Sequence, residues 1–327
     1  MLHANPDNEL SGPPETAPPP GVWRLPSLKR IASRRDSGQS ARMSRVFFWL
    51  KVSRPGLWFQ TLWLYTLPTS RLPVWDSPVF WLGLVYVTFP LNFLVYGWND
   101  IVDYENDQHN PRKDSFLFGA RGAREELARL PVALVLSQAP FFIALIWLRG
   151  WMMAALLGGM LLANLLYNLP RSGWRGRPPL ELVNQAGYLL LLPLSVVLNE
   201  TAAVSWGAVG YLVLFCTHSH LMGEVMDVIP DARANRWTTA RVLGVKVTKG
   251  LVMIMVIIEG LLLGLRFRDW VLGGFLLAGS VWLALDLFVI YRDRAYTRRE
   301  FQLFGLGINA SGFASMAWVW EVGTLMR

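Results

Sequence analysis

Between residues 47 and 325 the chain alternates long apolar runs with short polar segments, and the runs repeatedly come close to 20 residues. That is the length at which a helix rising 1.5 Å per residue crosses the ~30 Å hydrocarbon core of a bilayer. The runs fall at about 47–69, 77–98, 131–148, 150–168, 180–199, 203–222, 245–265, 269–291 and 303–325. The pattern predicts an all-α, polytopic membrane protein with about nine transmembrane helices. Glycine and proline inside some runs do not argue against spanning, because membrane helices tolerate both. A soluble chain of this length would show shorter runs interrupted by polar faces. Two span-then-acid-then-basic-loop units, centred near residues 103 and 227, predict two helical bundles facing each other across a central cavity.

Residues 1–45 break the pattern. Residues 1–21 are rich in proline, carry scattered acids and show no periodicity, so they are predicted to be disordered. Arg24, Lys29, Arg30, Arg34, Arg35, Arg42 and Arg45 follow, without an apolar core of their own, which excludes a secretory signal. The expected role is a basic arm on an anionic cytoplasmic leaflet. Asp7, Glu9, Glu15 and Asp36 argue against a transit peptide, since such segments are poor in acids. The expected division is therefore a disordered basic arm, 1–45, and a transmembrane domain, 46–327.

Loop charge sets an orientation. Arg112, Lys113, Arg121, Arg124 and Arg129 follow the second run, and Arg171, Arg175 and Arg177 the fourth. Arg233, Arg236, Arg241, Lys246 and Lys249 follow the sixth, and Arg292, Arg294, Arg298 and Arg299 the eighth. The intervening loops hold only Arg71, Arg149, Arg266 and Arg268. By the positive-inside rule the N-terminus faces the cytoplasm and the C-terminus the outside. The net charge of +8 is thus explained by topology and lipid phosphate, and no nucleic-acid partner is expected. Cys216 is the single cysteine, so no intramolecular disulfide can form.

Two acidic stripes carry the candidate chemistry. Asn99-Asp100-Ile101-Val102-Asp103-Tyr104-Glu105-Asn106-Asp107 closes the second run. Asn99, Asp103 and Asp107 are spaced i, i+4, i+8, one face of a helix, with Asp100 beside them. Like charges at that spacing repel unless a cation sits on them, and oxygen-only ligands suit a hard cation such as Mg²⁺. Glu224, Asp227 and Asp231, at i, i+3, i+7, close the sixth run. Two such stripes facing each other could hold a diphosphate between metal ions. Pro230, inside the second stripe, is expected to break the helix or start a new one.

The pair of stripes resembles the UbiA superfamily of intramembrane prenyltransferases, whose motifs are N-D-x-x-D-x-x-x-D and D-x-x-x-D. The first matches at Asn99, Asp100, Asp103 and Asp107, the second at Asp227 and Asp231. Thr238-Thr239-Ala240-Arg241-Val242-Leu243-Gly244 also looks like the family, and the likeness covers roughly residues 45–325. It implies Mg²⁺ held by Asp100, Asp103, Asp107, Asp227 and Asp231, with Asp103, Asp107, Asp227 and Asp231 catalytic. It implies a prenyl diphosphate donor and a lipophilic acceptor, such as a carotenoid or a quinone precursor, at the cytoplasmic face. Asn110-Pro111-Arg112-Lys113 looks more like the lycopene-elongase branch than like the 4-hydroxybenzoate or chlorophyll branches.

Ionising an allylic diphosphate needs its leaving charge neutralised, which metal ions and basic side chains do electrostatically. Arg112, Lys113, Arg233 and Arg236 are the basic candidates, Asn99 supports the metal, and Tyr167, before Asn168-Leu169-Pro170, is a candidate for substrate binding. Phe93, Tyr96, Trp98, Tyr167 and Tyr188 are candidate cavity liners that could cradle a carbocation. His218 and His220, two residues apart, point to different sides of a helix, so they do not form a metal pair, and one could take a proton from the alkylated acceptor. Glu259, Asp286 and Asn309 lie within expected spans, where polar groups are functional candidates. The competing readings are a cation-coupled transporter and phosphoribosyl transfer to a prenyl phosphate. Transporter acids normally sit near mid-membrane, whereas these sit at span ends, which favours the enzyme.

Overall fold

The structure, a computed structural model, describes residues 38–326 apart from 171 and 295, and their side chains from Arg45 onward with the exception of His109. The expected arm falls almost wholly outside the described residues. Helix is the one regular structure among the described residues: α1 (Gly38–Val52), α2 (Trp58–Thr66), α3 (Pro78–Val87), α4 (Phe89–Val102), α5 (Tyr104–His109), α6 (Arg124–Leu127), α7 (Leu130–Asn168), α8 (Leu180–Asn184), α9 (Leu191–Asn199), α10 (Trp206–Arg233), α11 (Thr239–Leu243), α12 (Val245–Leu261), α13 (Trp270–Leu285) and α14 (Arg298–Val322).

Among the described residues, six helical stretches are long and apolar enough to cross a membrane: Pro78–Val102, Arg124–Asn168, Leu180–Asn199, Trp206–Arg233, Val245–Arg266 and Trp270–Ile290. The expected count of nine is not reached by that measure, for three physical reasons. Residues 131–148 and 150–168 fall in one 39-residue element, α7. Straight, it would run ~58 Å, about twice the apolar core. Gly150, at φ 67 and ψ −151, divides it into two lengths that each suit one crossing. The 47–69 run is broken at Arg54-Pro55, where Arg54 turns left-handed at φ 51. The last run is helical over 25 residues, but Arg298, Arg299, Glu300 and Asn309 dilute its apolar character. Trp147, Trp151 and Trp206 are 85%, 77% and 89% exposed, so these rings face out of the protein, as an interfacial aromatic belt requires.

Local breaks are chemically satisfied. Ser77 caps α3, its Oγ accepting from Phe80 N at 3.3 Å, with Pro78 in the first turn. The α3–α4 junction at Thr88 frees carbonyls that Asn92 recovers. Its Nδ2 donates to Val87 O at 2.9 Å, Thr88 O at 2.8 Å and Thr61 Oγ1 at 2.8 Å. Such repair is what a bilayer demands, since lipid offers no partner.

Pro230 corrects an expectation. α10 runs through it to Arg233. Proline forfeits one helical bond and crowds the preceding turn, but it stands in the last turn, where the helix is already ending. Its carbonyl is still used, accepting from Ala234 N at 3.0 Å. The end is a Schellman turn: Asn235, left-handed at φ 50, donates to Ala232 O at 3.2 Å, and Arg236 N donates to Asp231 O at 2.9 Å. The turn brings Arg236 back beside the second stripe.

Candidate active site

The first stripe is built across a kink. Asp103, at φ −93 and ψ 11, separates α4 from α5. The helical spacing survives: Asp103 N donates to Asn99 O and Asp107 N to Asp103 O, each at 2.9 Å. Asn99, Asp103 and Asp107 therefore share a face, and all three line a cavity of ≈ 260 Å³. Asp227 and Asp231, from α10, line it too. Asp100 does not. It is 2% exposed and turned to the back of the stripe, taking Arg54 Nη2 at 2.8 Å and Lys113 Nζ at 2.6 Å.

Each stripe is bridged by cations, several of them from the loop that follows the other stripe. In the 110–113 loop, Asn110 Nδ2 reaches Asp227 Oδ1 at 3.0 Å and Arg112 pairs with Asp227. From beyond the Schellman turn, Arg236 pairs with Asp103 and lies 3.4 Å from Asp231 Oδ1. Arg175 Nη1 contacts Asp103 Oδ1 at 2.7 Å and Asn99 Oδ1 at 2.9 Å. Lys113, 4% exposed, also contacts Asp107 Oδ2 at 2.6 Å, offsetting the repulsion between Asp100 and Asp107. The chain makes room for this crowding: Gly176, at φ +75, has no Cβ to strike Arg236 Cγ.

Burial and charge act on the carboxyls in opposite directions. Burial alone would raise Asp103, but the Arg236 and Arg175 guanidiniums and Lys113 hold it below the usual carboxylate range. Burial pushes Asp107 up to about 7, with Lys113 resisting and Asp100 and Asp103 adding repulsion. Burial holds the Arg175 guanidinium below its ordinary value despite Asp103.

Of the sequence candidates, Asn99, Asp103, Asp107, Arg112, Lys113, Tyr167, Asp227, Asp231 and Arg236 come together on the cavity wall. Asp100 stands behind it, and Arg233 is exposed on the last turn of α10, away from the lining. Tyr96, Tyr167 and Tyr188 line the cavity; Phe93 and Trp98 pack in a separate apolar cluster with Val52 and Leu130. Tyr167 and Asn168 end α7, where Asn168 Nδ2 donates back to Asn164 O at 3.1 Å. His220 faces the cavity, and His218 turns away to Glu259 on α12, Nδ1 to Oε1 at 2.7 Å. Asp286 pairs with Lys249, and Asn309 Nδ2 donates to Gly56 O at 2.7 Å and Gly305 O at 2.8 Å, so both are accounted for by helix packing.

Sequence reasoning missed several liners. Arg54 lies in the cavity wall, its guanidinium 4.4 Å from the Tyr96 ring centre. Arg175 reads from the sequence as one more loop charge. Asn164, Glu181, Asn184 and Gln185 form a polar stretch of the lining. Glu181 Oε1 accepts from Thr239 N at 2.9 Å and Thr239 Oγ1 at 2.6 Å, and Glu224 Oε2 from Ala240 N at 2.9 Å. These two acids pin the Thr238–Gly244 segment to the cavity rim. An acid inside an apolar run, such as Glu181, was the available signal.

All the stripe ligands are oxygens, the donor set of a hard cation. Among the described residues no three metal-binding side chains converge on one point, because Arg112, Arg175, Arg236 and Lys113 lie between them. Each wall nevertheless offers a pair, Asn99 with Asp103 and Asp227 with Asp231. Mg²⁺ typically takes one or two carboxylates and fills its remaining positions with phosphate and water, so the residues fit the ion when an anion shares it.

Known proteins identify the family and the fold. The model of the UbiA prenyltransferase family matches residues 57–308. A lycopene elongase/hydratase of Corynebacterium glutamicum is 28% identical over 235 residues, covering 71% of this chain and 82% of the relative. A lycopene elongase/hydratase of Haloarcula japonica is 28% identical over 207 residues, covering 63% and 67%. The solved structure of a UbiA homologue from Archaeoglobus fulgidus, bound to DMAPP and Mg²⁺, superposes with a TM-score of 0.60 at 14% identity, covering 83% of this chain and 99% of that one. At that identity the superposition establishes the fold.

Proposed function

Since the chain belongs to the UbiA prenyltransferase family, we propose that this integral membrane prenyltransferase moves a prenyl group from an allylic diphosphate to a carotenoid of the lycopene class. The observation that carries the reading is the cavity itself: two acid walls, Asn99/Asp103/Asp107 and Asp227/Asp231, with Lys113 and Arg175 held on the first, Arg112 reaching from the 110–113 loop to Asp227, and Arg236 touching both. A free carboxylate cage would repel a diphosphate. Four cations already inside it supply the attraction.

Asn99, Asp103, Asp227 and Asp231 would hold Mg²⁺. The bound ion would screen the diphosphate oxygens and stabilise the leaving charge. Arg112, Arg175 and Arg236 exchange carboxylate for phosphate partners as the donor enters. They are partly buried, and in a water-poor site such contacts strengthen as charge builds on the leaving group. Arg54 holds Asp100 and Lys113 holds Asp107, which keeps the first stripe in place while the other cations move. The aromatic rings of Tyr96, Tyr167 and Tyr188 exclude water and face the cation that the departing diphosphate leaves behind. Carotenoid as the acceptor is supported by the two lycopene elongase/hydratase relatives and by the Asn110-Pro111-Arg112-Lys113 loop. The alternation of loop charge supports a cytoplasmic N-terminus and active-site face with the C-terminus outside.

The test is diphosphate release and product mass from the purified protein in detergent. Dimethylallyl and geranylgeranyl diphosphate are offered with lycopene, 4-hydroxybenzoate or a naphthoate, with and without Mg²⁺. Mg²⁺-dependent release with a prenylated carotenoid is the expected result. A prenylated aromatic acid would sink the acceptor assignment, and release indifferent to divalent ions would sink the metal assignment.

A further inference from the structure

We propose that His220, supported by Glu224, is the base that takes the proton when the prenylated acceptor cation collapses to an alkene. The inference deepens the proposed prenyl transfer and rests on it.

Prenyl transfer to an alkene leaves a charge to remove. The diphosphate departs with the electron pair of its C–O bond. The acceptor π pair then forms the new C–C bond, and the positive charge moves to the neighbouring acceptor carbon. The product forms when a C–H bond next to that carbon breaks, its electron pair closing a double bond and its proton passing to a base. The base must lie in the cavity, beyond the diphosphate end, and carry a free lone pair.

His220 meets these conditions. It lines the cavity from α10, seven residues before Asp227, about 10 Å along the helix axis from the diphosphate end. Phe215, one further turn along, marks the apolar part of the lining. The imidazole side chain is 19% exposed and stands edge-on to Tyr167, ring centres 6.3 Å apart. Its Nε2 is 3.2 Å from Glu224 Oε1. Glu224 is 6% exposed, anchored through Oε2 to Ala240 N, and Oε1 is a buried oxygen with no hydrogen-bond partner. With Nε2 facing the Glu224 carboxylate, the ring is oriented with its proton on Nε2, which leaves Nδ1 as the nitrogen that carries the free lone pair. The aspartates are committed: Asp103, Asp107, Asp227 and Asp231 are all ion-paired at the diphosphate end, while Glu181, held through Oε1 by Thr239, keeps Oε2 without a partner and is the competing base against which His220 is compared. Among the described lining residues His220 is the one imidazole. Glu224 acts through His220 and is a positioning residue.

The experiment compares wild type, His220→Phe, His220→Ala and Glu224→Gln with dimethylallyl diphosphate and lycopene. It measures diphosphate released, alkene product, and product heavier by one water. The expected result for His220→Phe is diphosphate release within about threefold of wild type. The alkene yield per diphosphate should fall about 10²-fold, the usual share of a positioned base, with the water adduct replacing it. Glu224→Gln should give a smaller fall of the same kind. Added imidazole should restore alkene to His220→Ala and not to His220→Phe, whose ring fills the space; a merely structural histidine would show no such rescue. An unchanged alkene-to-diphosphate ratio in all three variants overturns the proposal, as does a wild type whose coupled product is already the water adduct. Wild type that releases no diphosphate and couples no prenyl group overturns the function reading, and this step with it, before any variant is compared.

Discussion

Two buried ion-paired clusters sit toward the same end of the helices, and they are built on opposite principles. In one, Lys249 of α12 lies 2.9 Å from Asp286 Oδ2, donates to Arg292 O at 3.0 Å and stands 4.6 Å from the Tyr296 ring centre, while Tyr296 Oη donates to Asp286 Oδ2 at 2.8 Å. Lys249 and Asp286 are 2% and 3% exposed, and every polar side-chain atom of the three residues has a partner. In the other, around the cavity, cations bridge carboxylates from loops. Arg54 Nε, Arg112 Nε, Asp100 Oδ2, Glu181 Oε2 and Glu224 Oε1 are buried without hydrogen-bond partners. A closed cluster has nothing left to bind and serves to join α12 to the end of α13. An open one keeps unspent hydrogen-bonding capacity for a ligand, at some cost to stability.

That contrast can be broken by substitution. The largest effect is expected at the open cluster: Asp103→Asn or Asp227→Asn should lower turnover at least about 10³-fold while thermal unfolding in detergent shifts little. Near-normal diphosphate release by either variant would remove the distinction. At the closed cluster the readouts should invert. Lys249→Met strands a buried carboxylate and should cost about 3–5 kcal/mol of stability, with turnover per folded molecule close to wild type. The double variant Lys249→Met/Asp286→Leu should recover much of that loss, because an apolar pair replaces a desolvated ionic one. Asp100→Asn sharpens the comparison from within the motif. Its carboxylate faces Arg54 and Lys113 and does not line the cavity. It should therefore act by loosening Lys113, raising the KM for the diphosphate donor about tenfold, an effect like that of losing one buried charge-assisted bond. A loss as large as that of Asp103→Asn would make Asp100 a ligand in its own right.

The sequence carried the architecture where the signal was local and periodic. Apolar run length located the helices, and i, i+4, i+8 spacing set Asn99, Asp103 and Asp107 on one face even though the backbone kinks between them. It could not show that α7 is one element bent at a left-handed Gly150, nor that Pro230 would be absorbed in the last turn of α10. Both depend on where a helix stands relative to its neighbours and its own end. The same limit explains the cations. Arg112, Lys113 and Arg236 were legible because they follow an acid motif directly. Arg54 and Arg175 come from distant segments, and only the tertiary fold carries Arg175 76 residues back to Asn99 and Arg54 46 residues forward to Asp100. Tertiary folding also sorted the histidines, sending His218 to Glu259 and His220 to the cavity.

The smallest expected effect lies at the far end of the bundle, where a third acid is neither open nor ion-paired. Asp269 caps α13, accepting from Leu272 N at 3.0 Å through Oδ1, and from Trp318 Nε1 at 2.9 Å and Thr324 Oγ1 through Oδ2. Burial would raise its carboxyl, but these donors hold it below the usual carboxylate range. A depressed folded value means that the unfolded chain binds the proton more readily, so the stabilisation is present above the ordinary carboxylate value of about 3.9 and is lost as pH falls through the folded value. Asp269→Asn keeps an acceptor oxygen for the cap but loses the charge and turns its NH2 toward Trp318 Nε1–H, a donor, so the cost should be about 1–2 kcal/mol. The difference in Tm between variant and wild type should be full at neutral pH and shrink once the wild-type carboxyl takes a proton. A gap that stays constant down to acid pH would mean that the amide fails on shape, and that neutral hydrogen bonds rather than the carboxylate charge tie α13 to the end of α14.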